Sequence, residues 1–354
     1  MTKIHNFYLE LAFQLAEKNL GKTGLNPSVG SVVVKNDTVI SSGVTSINGR
    51  PHSEFNALNN INNTAGASLY TTLEPCTHYA KTPPCTNLII KKKIKSVFYS
   101  FEDPDNRTFK KAKKILNEKG IKANLIKTKK YKNFYKSYFI NKKKNMPYVS
   151  AKIAISKDYF SITKKKQWIT NDKSRKIVHL LRSKHDSIIS TSKSINIDNS
   201  LLNCRIKGLN NYKPDLFIID INLKLKKNLF LNNLTKKRNT YLITSINQKK
   251  KILIYKKLGY KIILINSLKN KKDFFLLYKK IYKLGYSRIF FETGLTFLKA
   301  LIENKALNDL YICKSSIKLG KNGKNNTPSS FLKRFLTKSI TINLNNDKLY
   351  KNEF

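Results

Sequence analysis

The triplet His52-Ser53-Glu54, answered by Cys76 and Cys85, constrains this chain more than any other feature, because widely separated side chains must converge if they act together. One imidazole nitrogen and two thiolates fill three corners of a tetrahedral zinc site and leave the fourth open to water, the arrangement of a catalytic rather than a structural ion. Glu54, two residues after the histidine, is placed to shuttle protons to and from that water without binding the metal. Pro51 precedes the first turn of a helix that Phe55, Ala57 and Leu58 continue. Cys76 follows the apolar run Ala67 to Leu73, which reads as a buried strand ended by Pro75. Cys85 follows a Pro-Pro turn, and Thr86 to Ile90 begins a helix whose positive end favours a thiolate there. Singly, such residues are most often two buried cysteines and a surface histidine; four matched elements in order argue against that.

The combination resembles the signature of zinc-dependent deaminases. Nucleic-acid and nucleoside deaminases usually carry Pro-Cys-x-x-Cys, whereas eight residues separate Cys76 from Cys85 here. The run Glu74-Pro75-Cys76-Thr77-His78-Tyr79-Ala80-Lys81-Thr82-Pro83-Pro84-Cys85 resembles instead the bifunctional deaminase/reductase family of riboflavin biosynthesis, with Ala80 where that family usually has glycine. Asn26-Pro27-Ser28-Val29-Gly30 and the Asp103-Pro104-Asp105 turn are similar to its patterns too. The resemblance implies a cytidine-deaminase-like three-layer α/β/α domain over residues 1–146. It places Asn26, His78 and Lys81 on the pyrimidine or its ribose phosphate, beside the ligands His52, Cys76 and Cys85 and the catalytic Glu54. The chemistry suits these roles: an amide pairs with a heterocycle edge, and a lysine gives phosphate a point charge. The bland readings are a turn-capping asparagine, an exposed histidine and a solvated lysine.

Downstream of the basic run Asn141 to Asn145, which reads as a linker, come seven apolar strand candidates: 148–155, 187–191, 215–220, 240–244, 261–265, 288–292 and 310–313. Helix-like stretches between several of them predict a mostly parallel sheet. No Gly-x-Gly-x-x-Gly follows any strand, which excludes the ordinary dinucleotide fingerprint. Gln167-Trp168-Ile169-Thr170, Leu181-Arg182, the run Ser194 to Arg205 and Phe291-Glu292-Thr293-Gly294 are nevertheless similar to the reductase half of the same family. The resemblance implies a dihydrofolate-reductase-like α/β domain over residues 147–354. In it Arg182, Leu202, Arg205 and Glu292 face the substrate, and Ala154, Trp168, Ser194, Asp198 and Gly294 face NADPH. Arg182 and Arg205 make sense as a fork for a ribose phosphate; Trp168, taken alone, reads as a core residue. This half departs from the pattern at Tyr159, where glycine is usual, at Lys164-Lys165-Lys166, at Ser200 in place of proline, and at Leu295.

Lysine and arginine total 69 against 21 acids, a formal charge of +48. Such a balance ordinarily points to nucleic acid, but the lysines are spread along the whole length and form no single basic stripe. Four cysteines, two of them taken by the metal, make no disulfide framework and suggest a reducing compartment. No apolar run approaches membrane-spanning length. The expectation is a cytoplasmic two-step enzyme with one zinc per chain and NADPH, acting on a small phosphorylated pyrimidine and forming a homo-oligomer, with no specific nucleic acid and no membrane. The competing readings are a deaminase whose reductase domain no longer works, a tRNA or nucleic-acid deaminase, and a basic RNA-binding protein with a relic metal site.

Overall fold

A computed structural model describes every residue except 1, 165–167, 209–213 and 337–339. Lys165, Lys166 and Gln167, compared above with the reductase pattern, therefore lie outside the described residues. The chain divides into two compact units, Met1–Asn145 and Met146–Phe354.

The first unit runs α1 (Thr2–Asn19), β1 (Gly30–Lys35), β2 (Thr38–Val44), α2 (Ser53–Leu58), β3 (Ser68–Thr71), α3 (Cys85–Lys91), β4 (Ser96–Tyr99), α4 (Lys111–Glu118), β5 (Lys122–Leu125) and α5 (Lys136–Lys144). The sheet order is β2-β1-β3-β4-β5, antiparallel across the first three strands and parallel across the last three. Asn36 and Asp37 turn the β1–β2 hairpin with φ of 49° and 57°, the left-handed region that short polar residues tolerate. Alternation along β1 sorts its side chains. Val32 and Val34 meet Tyr8, Leu9 and Ala12 of α1, whereas Val33 joins Leu69, Val97 and Tyr99 beneath Ala57, Leu58, Ile89 and Leu116 of α2, α3 and α4. Each such buried aliphatic stabilises the unit by about 1.5–3 kcal/mol.

Two glycines let the helices approach closely. A Cβ on Gly30 would run into the Ala12 carbonyl of α1, and one on Gly43 would strike the Ser53 carbonyl and Ala57 nitrogen of α2. The second approach seats the helix that carries Glu54.

β5 and α5 were not expected from the sequence, because Lys122–Leu125 is short and its polar residues interrupt the apolar signal. The supposed linker 141–145 is mostly helix: Asn141 is buried, Lys142 reaches Asp105 at 3.0 Å, and the chain leaves α5 only at Asn145, with φ 52°.

The second unit contains β6 (Tyr148–Ile155), β7 (Ile162–Thr163), α6 (Asp172–Ser183), β8 (Ser187–Thr191), α7 (Ser192–Asp198), β9 (Asp215–Ile219), β10 (Thr240–Thr244), α8 (Lys249–Lys257), β11 (Lys261–Leu264), α9 (Lys271–Lys283), β12 (Arg288–Glu292), α10 (Leu295–Glu303), β13 (Asp309–Lys314), β14 (Gly323–Lys324), β15 (Ile342–Leu344) and β16 (Asp347–Glu353). The large sheet is ordered β11-β10-β9-β8-β12-β6-β13-β16-β15. Its first seven members are parallel, as the apolar runs predicted, and β16 and β15 close one edge in antiparallel fashion. That edge pair escaped notice because Asp347–Glu353 alternates charges with few apolar residues. One face packs Val149, Ala151, Ile153, Ile289 and Phe291 against Phe274 and Leu277 of α9 and Leu298 and Leu301 of α10. The other packs Ile188, Ile218 and Phe290 against Val178, Ile195 and Tyr255 of α6, α7 and α8. Ser150, Lys152 and Ala154 alternate onto that second face.

Candidate active sites

In the first unit the metal-binding chemistry assembles at two helix starts. His52 is the N-cap of α2, Glu54 sits in its first turn, and Cys85 opens α3; Cys76 stands in the loop between β3 and α3. The ligand atoms of His52, Cys76 and Cys85 lie within 4.8 Å of one another. His52 Nδ1 is 3.6 Å from the Cys76 sulfur and 3.4 Å from the Cys85 sulfur. Zinc bonds of about 2.0 Å to nitrogen and about 2.3 Å to sulfur, at a tetrahedral angle, put N and S roughly 3.5 Å apart, so the donors fit zinc.

The two sulfurs differ in kind. The start of α3 serves Cys76 as well as Cys85: the Cys85 backbone N–H donates to Cys76 Sγ at 3.2 Å. Hydrogen bonds from the Cys85 thiol and from His52 draw the Cys76 thiol down to about 4. Cys76 is therefore the thiol that ionises first, and His52 is raised above its usual value by its hydrogen bond to Cys76.

Glu54 is buried, and burial raises its carboxyl above the ordinary range, which suits a group that must hold a proton near neutrality. Of the residues assigned to substrate, His78 Nδ1 lies 3.1 Å from Thr108 Oγ1, Asn26 Nδ2 donates to the Gly49 carbonyl at 3.1 Å, and Lys81 is exposed. Desolvation and the nearby Arg107 keep His78 below its usual value, hence neutral at pH 7.

The sequence reading missed what Glu74 does. This buried carboxylate accepts backbone N–H groups of Asp103 and Lys110 at 3.1 Å and of Ala112 at 3.0 Å. It thereby ties the start of the cysteine loop to the segment that carries Thr108. Asp103, the first residue of the Asp-Pro turn, accepts from the Asp105 N–H at 2.9 Å and the Tyr138 hydroxyl at 3.0 Å. A glutamate beside a cysteine pair reads as a candidate ligand or base; only the neighbouring backbone donors reveal a brace.

In the second unit four of the residues assigned to reduction, Ala154, Ser194, Glu292 and Gly294, lie at or just past the carboxyl ends of β6, β8 and β12, which are adjacent and parallel, the usual place for a ligand in an α/β sheet. Ala154 is the penultimate residue of β6, Glu292 ends β12, Gly294 caps α10, and Ser194 lies in α7 directly after β8. A Cβ on Gly294 would meet only Ser194 Oγ, at 3.9 Å, so this spot offers open room for a close-approaching group. Asp198 is raised by burial, an effect that the positive charge of Lys152 opposes.

Arg182 and Glu292 face each other. The guanidinium Nη2 donates to Glu292 Oε2 at 2.9 Å, Nε donates to Oε1, and Nη1 donates to the Asn203 carbonyl at 2.8 Å. Arg182 is therefore a buried partner of Glu292, close enough to Arg205 for its charge to act on that side chain. Arg205 is more open; its Nη1 donates to Asn203 Oδ1 at 2.7 Å. Leu202 is buried with φ 47°, and the buried Arg238 donates to its carbonyl at 2.6 Å.

Trp168 is 70% exposed, with the Arg175 guanidinium 5.1 Å from its ring centroid, which rules out the core reading. Leu295, one of the departures from the family pattern, is buried in the core. Tyr159 holds the glycine-like backbone that its position implied, φ 69°, with Lys314 Nζ 4.5 Å and Lys333 Nζ 5.9 Å from its ring. Lys152 is a residue the sequence reading missed. Half-buried on the Ala154 face, its charge acts on both Asp198 and Glu292; in a chain with so many lysines only strand alternation singles it out.

Comparison with known proteins bears on both units. Residues 2–101 match the cytidine and deoxycytidylate deaminase zinc-binding region, and residues 147–346 match the RibD C-terminal domain. The riboflavin biosynthesis protein RibD of Buchnera aphidicola subsp. Baizongia pistaciae is 30% identical over 341 residues, 93% of this chain and 91% of that protein. The chain belongs to the RibD family. RibD of Bacillus amyloliquefaciens is 36% identical over 208 residues, a match that spans 57% of this chain and 56% of the Bacillus protein. The fold is that of solved RibD from Acinetobacter baumannii, with a TM-score of 0.84 at 24% identity over 99% of each chain. The chain thus carries both halves of a RibD protein, a zinc-binding deaminase domain and a RibD reductase domain. No helix among the described residues is long and apolar enough to cross a membrane.

Proposed function

We propose that residues 1–146 remove the amino group from a diaminopyrimidinone ribosyl phosphate and that residues 147–354 reduce the ribose of the product to ribityl. The observation that carries this reading is the convergence of His52, Cys76 and Cys85 at zinc-ligand spacing, with buried Glu54 in the adjacent helix turn. Zinc held by those three residues supplies, when bound, a water activated for attack near neutral pH. Glu54 takes the proton of that water and delivers it to the departing ammonia. Asn26 and His78 orient the heterocycle, and Lys81 meets the phosphate in solvent-exposed surroundings, where its charge is worth little more than steering.

In the reductase half NADPH supplies the hydride, and Ala154, Trp168, Ser194, Asp198 and Gly294 would hold it; the bare Gly294 and the free first turn of α10 suit its phosphates. Leu202 and Arg205 face the substrate, Glu292 is kept ionised by Arg182, and Lys152 stands ready to neutralise charge at the sugar. The substrate is a small phosphorylated pyrimidine rather than nucleic acid, and the enzyme works in the cytoplasm as a homo-oligomer.

Incubating purified protein with the diaminopyrimidine ribosyl phosphate, with and without NADPH, tests both halves at once. Ammonia should appear in either case and NADPH oxidation should follow it. Ammonia without oxidation at saturating NADPH would leave a deaminase with a retired reductase domain, and neither would refute the reading.

A further inference from the structure

Between the metal ligand His52 and the carboxylate Glu54 lies Ser53, which a His-x-Glu pattern treats as a spacer. Its side chain is fully buried and turned back toward its neighbour: Ser53 Oγ donates to Glu54 Oε2 at 3.0 Å. Ser31 Oγ of β1 lies 2.8 Å from Ser53 Oγ. Ser31 Oγ donates at 3.2 Å to Thr71 Oγ1, on the residue of β3 that pairs with it. Ser53 Oγ thus sits between the Glu54 carboxyl, to which it donates, and Ser31 Oγ on the sheet behind it. Ser31, Ser53 and Thr71 are all buried without exposed surface, so water does not compete for these bonds.

We propose that Ser53 is a positioning residue for deamination: backed by Ser31 on the sheet, it fixes one oxygen of Glu54 and leaves the other for the reacting groups. Two rigid anchors support the arrangement. The strand pairing of Ser31 with Thr71 sets one end, and the close approach of Gly43 to the Ser53 carbonyl sets the other. A glutamate side chain has three free torsions, and general acid–base transfer demands hydrogen-bond geometry at the reacting atom. A small rotation is therefore enough to slow turnover. The inference rests on the reading of Glu54 as the proton carrier.

Ser53→Ala changes volume little and removes only the hydroxyl. Ammonia release should fall about tenfold in kcat, while KM, zinc content and the NADPH-linked reduction of pre-deaminated substrate by the same chain stay unchanged. A merely structural hydroxyl would not separate kcat from these controls. Ser31→Ala, which keeps the Ser53–Glu54 bond but removes its backing, should lower kcat by a smaller factor; it also carries the test if Ser53→Ala loses zinc or does not fold. A kcat within twofold of the parent in the folded, zinc-loaded variant would overturn the proposal. Glu54→Gln, run in parallel, distinguishes the two failures: if it too stays active, the reading of Glu54 falls, whereas if it is inactive and the serine variants are not impaired, only the positioning role falls.

Discussion

The two units bury charge for opposite ends. Around the metal site the buried polar groups are left with work to do: Glu54 is raised by desolvation, and Cys76 is the thiol drawn down by its neighbours. In the reductase half the buried charges Arg182 and Glu292 are already matched, since they form a two-point pair and Arg182 also satisfies the Asn203 carbonyl. Preorganised but unsatisfied groups respond to a ligand; mutually satisfied ones hold the walls that a ligand touches. Removing one member should therefore cost activity in the first unit and stability in the second.

The largest effect is expected where the pair is broken. Arg182→Met leaves the Glu292 carboxylate buried and unmatched, which costs about 3–5 kcal/mol. Urea unfolding should show the second unit destabilised by that order while the first unit's transition holds its place. A loss under about 1 kcal/mol would mean that solvent reaches the pair and that the contrast between the units is false.

Glu54→Gln gives the complementary result. It removes the proton carrier and none of the zinc ligands, so ammonia release should drop by roughly 10²-fold or more, on the order of 2.7 kcal/mol, with zinc retained by metal analysis and reduction of pre-deaminated substrate unaffected. Zinc loss in this variant would show Glu54 to be a ligand.

Acid should then separate the units by a third route. His185 is buried against Phe290; its Nδ1–H donates to the Leu181 carbonyl at 2.7 Å, its Nε2 lies 3.1 Å from Ser150 Oγ, and desolvation followed by the nearby Arg288 draws it down to about 3. The folded imidazole is neutral whereas the unfolded one takes a proton below about 6.5. Between those values the unfolded state binds more protons, so stability falls as pH falls, by about 1.4 kcal/mol per pH unit at most. His185 by itself should cost the second unit about 1.6 kcal/mol between pH 6.5 and 5, against an opposite contribution from Asp186, which burial raises to about 7. The parent should therefore lose about that much stability relative to His185→Gln across this range, and the two slopes should differ by it. An unchanged slope would place the acid sensitivity elsewhere.

How much of this was legible in the sequence follows from the same contrast. Zinc dictates residue types and demands that they meet, so His52, Glu54, Cys76 and Cys85 stand out from their own chemistry, and the strand and helix signals around them placed each correctly. The parallel strands of the second unit were equally plain as apolar runs. Its site was not, because it arises where the ends of β8, β12 and β6 become neighbours, and no local pattern announces that Arg182 will find Glu292 or that Lys152 lies on the Ala154 face. Braces such as Glu74 were hidden for a related reason: their partners are backbone N–H groups, which every residue has. Residue type alone would put Trp168 in the core, because it does not say which side of a loop faces water.

The smallest effect concerns Tyr159, where the two kinds of burial meet in one residue. Its φ of 69° costs a non-glycine residue roughly 1–2 kcal/mol, while its ring packs on the core and draws Lys314 and Lys333 over its face. Tyr159→Gly releases the backbone strain and gives up the packing, so the net change in stability should be small. Cofactor binding should shift in a definite direction. The substitution removes bulk beside the end of β6 and frees two ammonium groups that the ring now holds, and each cation near a phosphate adds attraction of about 1 kcal/mol in exposed surroundings. The KM for NADPH should therefore fall about threefold while ammonia release does not change, and the gain should shrink as salt is added. A KM that rises instead would show that the ring supports the cofactor site, and that a bulky residue has replaced glycine here with the lysines as its partners.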